Sequence, residues 1–282
     1  MKRNELLLAV ALAAVVAGGT VLLPPVVGAQ TEPGVPVEFV ETSDGFDSPT
    51  GGGWDDVQTS TLPLSSAGAD VPSANDVTVE ELQVASVRTD ERIYVRTSWA
   101  DPTRDTSDST VREFDDNVAI QLPSDSDEQP PIAMGSSDNP VNVWYWSGSG
   151  NSEELLAGGP GSTTPFEESQ LRTEQEYADG RWFVVFSRPL DPDSSFALLP
   201  GSDDSSRTTI PRDDADLDVA VAVWNGSNME VAGQKSASQW HRLAVSSGPP
   251  AYERFLWVIA GVAIVLTTIV TIEGVRRTRG DE

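Results

Sequence analysis

The chain has 282 residues, 44 acidic against 18 basic, a formal charge of −26 and no cysteine. A surface of that sign repels a phosphate backbone along its whole length, which excludes nucleic acid as a partner. The missing cysteine excludes disulfides, thiolate metal sites and cofactor attachment through C-x-x-C-H.

Lys2 and Arg3 precede the apolar run Leu6 to Ala17, and a second apolar stretch ends in Val27-Gly28-Ala29 before Gln30. A basic head, an apolar middle and small residues at the −3 and −1 positions read as a secretory signal over residues 1–29. An uncleaved anchor is the competing reading, because the apolar stretch is long for a signal. Residues 30–50, polar with Pro and Gly, read as a linker into one domain over residues 51–247. Acidic pairs recur along that domain (Asp55-Asp56, Asp115-Asp116, Glu153-Glu154, Asp203-Asp204, Asp213-Asp214). Charge this dense costs self-repulsion unless salt screens it, so the composition points to a halophile.

Within the domain, short apolar runs alternate with Gly-, Ser-, Asp- and Pro-containing segments, the rhythm of an all-β sandwich. The clearest strands are Thr78 to Val87, Arg92 to Trp99, Asn117 to Leu122, Val141 to Trp146, Trp182 to Ser187 and Val219 to Trp224. The first two make a hairpin around Thr89-Asp90-Glu91. Ser149 to Arg172 reads as a long loop with room for a short helix. In Trp182-Phe183-Val184-Val185-Phe186 both parities are apolar, which predicts a strand covered on both faces. In Val219 to Trp224 one face carries Val219, Val221 and Val223. The other carries Ala220, Ala222 and Trp224, small residues that leave room for a bulky neighbour or for close sheet packing.

Phe255 to Ile272 is uncharged and long enough for a membrane helix, with Tyr252 and Trp257 at the outer interface and Arg276, Arg277 and Arg279 behind it. The expected topology is a transmembrane helix over 255–275, a cytoplasmic tail over 276–282, and the domain on the extracytoplasmic side of the cell membrane.

Catalysis by this chain is not expected. His241 is the sole histidine, and a Ser-His-Asp arrangement would have to be built on it. The acidic pairs lack the spacing of an EF-hand loop. Asn225-Gly226-Ser227 has the form of a glycosylation acceptor, and equally of a turn. Trp144 and Trp146 share one face of a strand, where core or cofactor packing is the first reading; the pair could also stack on a sugar, which keeps open an exported carbohydrate- or ligand-binding module without a cofactor. Two rare residues are conspicuous. Beyond the signal, methionine occurs only at 134 and 229 and lysine only at 235, although arginine is common. A lone lysine among arginines suits a site that needs a primary amine, because arginine does not give up its proton to become a ligand; a surface lysine that merely persisted is the plainer alternative.

The segment Asp116-Asn117-Val118-Ala119-Ile120-Gln121-Leu122-Pro123, then Pro131-Ile132-Ala133-Met134-Gly135, then Asn139-Pro140-Val141-Asn142-Val143-Trp144-Tyr145-Trp146, resembles the haem-binding gamma subunits of ethylbenzene dehydrogenase, dimethylsulfide dehydrogenase, and selenate and chlorate reductases. Trp182 to Leu190, Val219 to Ser227 and Gly233 to His241 match in the same order. The resemblance implies a β-sandwich holding one b-type haem between a methionine and a lysine, here Met134 of P-x-x-M-G and Lys235 of G-x-K-S. It implies electron transfer rather than catalysis, beside a molybdenum catalytic subunit and an iron–sulfur subunit, with a quinone-linked cytochrome as a further partner at the membrane. His241 is the alternative ligand. Lys235 and His241 are six residues apart, so on one continuous strand both would face the same side.

Overall fold

The computed structural model describes residues 34–107, 109–124, 129–166, 169–190 and 217–245. They are all-β: β1 (Val35–Phe39), β2 (Thr59–Pro63), β3 (Ser65–Ser66), β4 (Glu81–Arg88), β5 (Arg92–Ala100), β6 (Asn117–Pro123), β7 (Val141–Ser147), β8 (Ser152–Ala157), β9 (Thr163–Pro165), β10 (Arg172–Ala178), β11 (Arg181–Pro189), β12 (Leu217–Trp224), β13 (Ser236–Ala237) and β14 (His241–Val245). Helix among the described residues is confined to single 3-10 turns at Gly52–Trp54 and Gly226–Asn228. None is long and apolar enough to cross a membrane. The expected signal at 1–29 and the expected span and tail at 255–282 lie outside the described residues.

The strands form one continuous sheet, ordered β10-β11-β5-β4-β1-β14-β12-β6-β7-β8-β9, rather than two separate ones. The sheet turns at β12, whose Leu217 to Val219 pair with β14 while Ala220 to Trp224 pair with β6. Beyond that turn its two halves face each other. Trp146 on β7 lies with its ring 6.4 Å from Trp99 on β5 and 5.0 Å from Trp182 on β11, and Trp144 lies 6.4 Å from Phe186. These aromatic contacts, with Val118, Ile120 and Leu122 of β6, make the main core.

Trp144 and Trp146, at 1% and 0% exposure, are therefore core and offer no platform to a sugar. Alternation placed them together on one face, and that face is the inner one. The β11 strand is covered on both faces as its sequence predicts: Trp182, Val184 and Phe186 enter the main core, while Val185 packs outward with Phe46, Trp54 and Tyr94.

Two expectations are corrected. The segment read as a linker supplies β1, inserted parallel to both β4 and β14, with Val35 and Val37 fully buried. It also supplies Phe46, edge-on to Trp54 at 5.1 Å. Only β1's short apolar pattern marks it, too brief for periodicity to register. The stretch read as a loop from Ser149 contains β8 and β9, antiparallel to β7 and to each other in turn. Its disguise was Glu154, a charge at a core position: it is 2% exposed. Arg188 Nε meets it at 3.0 Å, and Asn142 Nδ2 and Ser169 Oγ donate to it at 3.2 and 2.7 Å.

A second buried acid joins the ends of β6 and β12. Asp116 is fully buried and accepts from Gly226 N at 2.9 Å, Asp105 N at 2.8 Å and Trp182 Nε1 at 2.8 Å. Burial, helped by the charge of nearby Asp101, pushes its pKa up to about 7 against those three donors. Asp101 is raised in the same direction, again chiefly by burial.

Candidate cofactor site

Register places Ala222, Ala119 and Tyr145 side by side on the outward face of β12, β6 and β7, with Ala220, Gln121 and Val143 in the next row. This is the face on which the sequence put small residues. Ala119, Val141, Val143 and Ala157 form a compact apolar floor, and Met134, Tyr145, Leu155, Trp224 and Trp240 pack against it.

Met134 reaches this floor from the loop between β6 and β7. Three bonds moor that loop: Gln121 Nε2 donates to Ile132 O at 2.8 Å, Trp240 Nε1 to Pro130 O at 3.0 Å, and Gly159 N to Met134 O at 2.9 Å. The turn puts Met134 at φ 63° and Gly135 at φ 69°. A left-handed methionine costs on the order of 1 kcal/mol and persists only where its surroundings fix it. The following glycine is required by space as well as by φ, since a Cβ on Gly135 would lie 2.7 Å from Asn139 O.

Lys235 approaches from the other side. Ala237 stands opposite Ala222, and Ser236 opposite Val223. One step further along the same ladder sets Lys235 against Trp224, and its Nζ lies 4.8 Å from the Trp224 ring centre. Trp224 is itself fixed, edge-on to Tyr145 at 6.1 Å and donating through Nε1 to Ala232 O at 3.1 Å. Burial pushes the Lys235 ammonium below the ordinary lysine range, because desolvation disfavours its charged form. Met134 and Lys235, a hundred residues apart, are thus brought to one apolar face.

His241 is not brought there, which corrects the expectation from its spacing. Ala222 pairs with Ala237 and Val219 pairs with His241. Between those pairs, Ala220 and Val221 on β12 stand against Ser238, Gln239 and Trp240. The extra residue is a β-bulge, which breaks the alternation. Ser238 N still bonds Val221 O at 2.9 Å, so the slip falls at Gln239-Trp240. It turns Trp240 onto the outer floor, while His241 takes the side of Val219 and Leu243, both members of the main core.

Asn225 is 5% exposed, and its Oδ1 accepts from Asn228 N and Ser227 Oγ at 3.2 and 2.7 Å. It caps a turn and is not presented as a glycosylation acceptor. Among the described residues no group of three or more His, Cys, Asp or Glu side chains is placed to hold a metal ion. Trp224, Tyr145 and Trp240 were not predicted as site residues. The only hint in the sequence was the alanine face of β12 leading to Trp224.

By its fold and this face, the chain is an all-β domain presenting an apolar floor between a thioether and an amine. It belongs to the ethylbenzene dehydrogenase family, whose model, described as Ethylbenzene dehydrogenase, matches residues 52–165 and 160–236. A protein of Haloferax mediterranei with the provisional name respiratory nitrate reductase heme subunit ORF7 is 46% identical over 279 residues, covering 97% of each chain. The dimethylsulfide dehydrogenase subunit gamma of Rhodovulum sulfidophilum is 38% identical over 56% of this chain and 58% of its own. The chlorate reductase subunit gamma of Ideonella dechloratans is 29% identical over 70% of this chain and 78% of its own. Among solved structures, a family 9 carbohydrate binding module from Caldicellulosiruptor kristjanssonii in complex with glucose aligns with a TM-score of 0.44 and 13% identity, covering 77% of this chain and 97% of its own.

Proposed function

We propose that this chain is the b-type haem subunit of a respiratory molybdoenzyme complex and relays electrons through a haem held by Met134 and Lys235. The observation that carries the assignment is their convergence on one floor of small apolar side chains, in a family whose relatives are named as heme or gamma subunits of reductases and dehydrogenases. Catalysis then belongs to a partner: a molybdenum subunit, reached through an iron–sulfur subunit. The run at 255–275 would hold the domain at the outer membrane face near a quinone-linked cytochrome, with residues 1–29 directing export and 276–282 inside. The acidic surface suits a high-salt milieu.

The residues fit the group. A thioether is a soft donor that favours ferrous iron, and a neutral amine is a good nitrogen donor. Held by both, haem b would supply one-electron exchange. Met134 is presented by a backbone that Gln121, Trp240 and Gly159 fix. Lys235 sits where burial shifts its pKa downward, toward the neutral amine that a ligand must be. Ala119 and Ala222 keep the floor low, while Trp224 and Trp240 flank it and limit access of water.

Lys235→Ala and Met134→Ala should each convert a six-coordinate, low-spin ferric spectrum to a high-spin one and weaken haem retention, whereas His241→Ala should leave it low-spin. A high-spin spectrum from His241→Ala alone would transfer the nitrogen ligand to the histidine.

A further inference from the structure

Lys235 lies at the end of the connection from Asn225 and just before a strand of two residues, Ser236–Ala237. So short a ladder does not hold an amine at a defined point. The connection also passes through two left-handed residues that are not glycine, Met229 at φ 56° and Ala232 at φ 52°. Such a path needs something to impose it.

What imposes it is a carboxylate. Glu230, between those two residues, is fully buried. Its Oε1 accepts from Thr78 N at 3.0 Å, Thr78 Oγ1 at 3.1 Å and Asn228 Nδ2 at 3.1 Å. Its Oε2 accepts from Asn225 N at 3.1 Å. Two amides tie the same connection to Asp76 O, Asn228 Nδ2 at 3.0 Å and Gln234 Nε2 at 2.8 Å. The loop that delivers Lys235 is thereby clamped to the segment ahead of β4. On a chain with this many exposed acids, solubility gives no reason to bury one more, and four donors converge on it.

We infer that Glu230 is the positioning residue for Lys235: its buried carboxylate sets the loop that carries the amine to the iron. The inference rests on Lys235 being a ligand. Replacing one carboxylate oxygen with an amide nitrogen would point N–H groups at the backbone donors of Thr78 or Asn225, which have nothing to offer in return.

The test uses the full chain loaded with haem b. Glu230→Gln should raise the high-spin fraction of the ferric spectrum and speed haem transfer to an acceptor protein by about 10-fold, the scale of one buried donor left unsatisfied, at temperatures where near-ultraviolet circular dichroism shows tertiary packing intact. Thr78→Val removes one side-chain donor and should shift both readouts in the same direction by less. It serves as the deciding variant if Glu230→Gln does not fold. Lys235→Ala separates the two ideas. If it stays low-spin, the ligand assignment fails. If it turns high-spin while Glu230→Gln, or Thr78→Val in its place, keeps the native spectrum and transfer rate, the positioning role is overturned.

Discussion

β6, β7 and β12 present two faces of opposite content. Inward they send Val118, Ile120, Trp144, Trp146, Val221 and Val223, into a core closed by aromatic rings from the other half of the sheet. Outward they send Ala119, Ala220, Ala222 and Val143, together with Gln121 on β6 and Tyr145 on β7. The inner face is filled by the chain's own side chains. The outer face carries smaller side chains, with Met134, Tyr145, Trp224 and Trp240 packed against them. Neighbouring residues on one strand thus serve the core and, on the function proposed above, the haem in alternation.

The comparison breaks most visibly from the inside. Trp146→Ala would leave a cavity between Trp99 and Trp182 and should destabilise the fold by about 3–5 kcal/mol, read from denaturant unfolding of the apoprotein. From the outside, Ala222→Phe should cost no more than about 1–3 kcal/mol, because its side chain is only half-buried, yet should abolish haem binding in a spectroscopic titration. A loss of both together would mean that the two faces are not separable.

A pH-dependent effect is expected where the faces are tied at their ends. Asp116 has its pKa raised by burial to about 7 in the fold, against about 3.9 in an unfolded chain. Between those values the folded state binds the extra proton. This group's contribution is therefore complete below about pH 4 and declines as pH rises to about 7. Unfolding at fixed high salt should show that decline, and Asp116→Asn should flatten it.

Alternation made most strands legible, and the alanine face of β12 announced an unusual surface before any contact was known. The rarity of Met134 and Lys235 and the motifs around them marked the two residues proposed above as ligands. What period two does not reveal is which face is inside. Trp144 and Trp146 were correctly paired on one face, and only the structure decides that this face is core and not a sugar platform. Period two is equally blind to one inserted residue: the bulge at Gln239-Trp240 is invisible as spacing, yet it decides that Lys235 and His241 face opposite ways. Glu154 and Glu230 were hidden differently. Among so many exposed acids, nothing in composition separates the few that organise the interior.

The two ends of the sheet carry a consequence for how the molecule behaves in company. At one end β10 runs Arg172-Thr-Glu-Gln-Glu with its charges exposed. At the other, β9 is three exposed residues closing on Pro165. An open strand edge is a template for a neighbour's backbone, and salt strong enough to mask the repulsion of an acidic surface removes the usual defence against such contacts. Brevity and proline do not depend on ionic strength, and charge on β10 must be desolvated before a second strand can dock. The sheet thus resists growing into its neighbours under the conditions in which its overall charge protects it least.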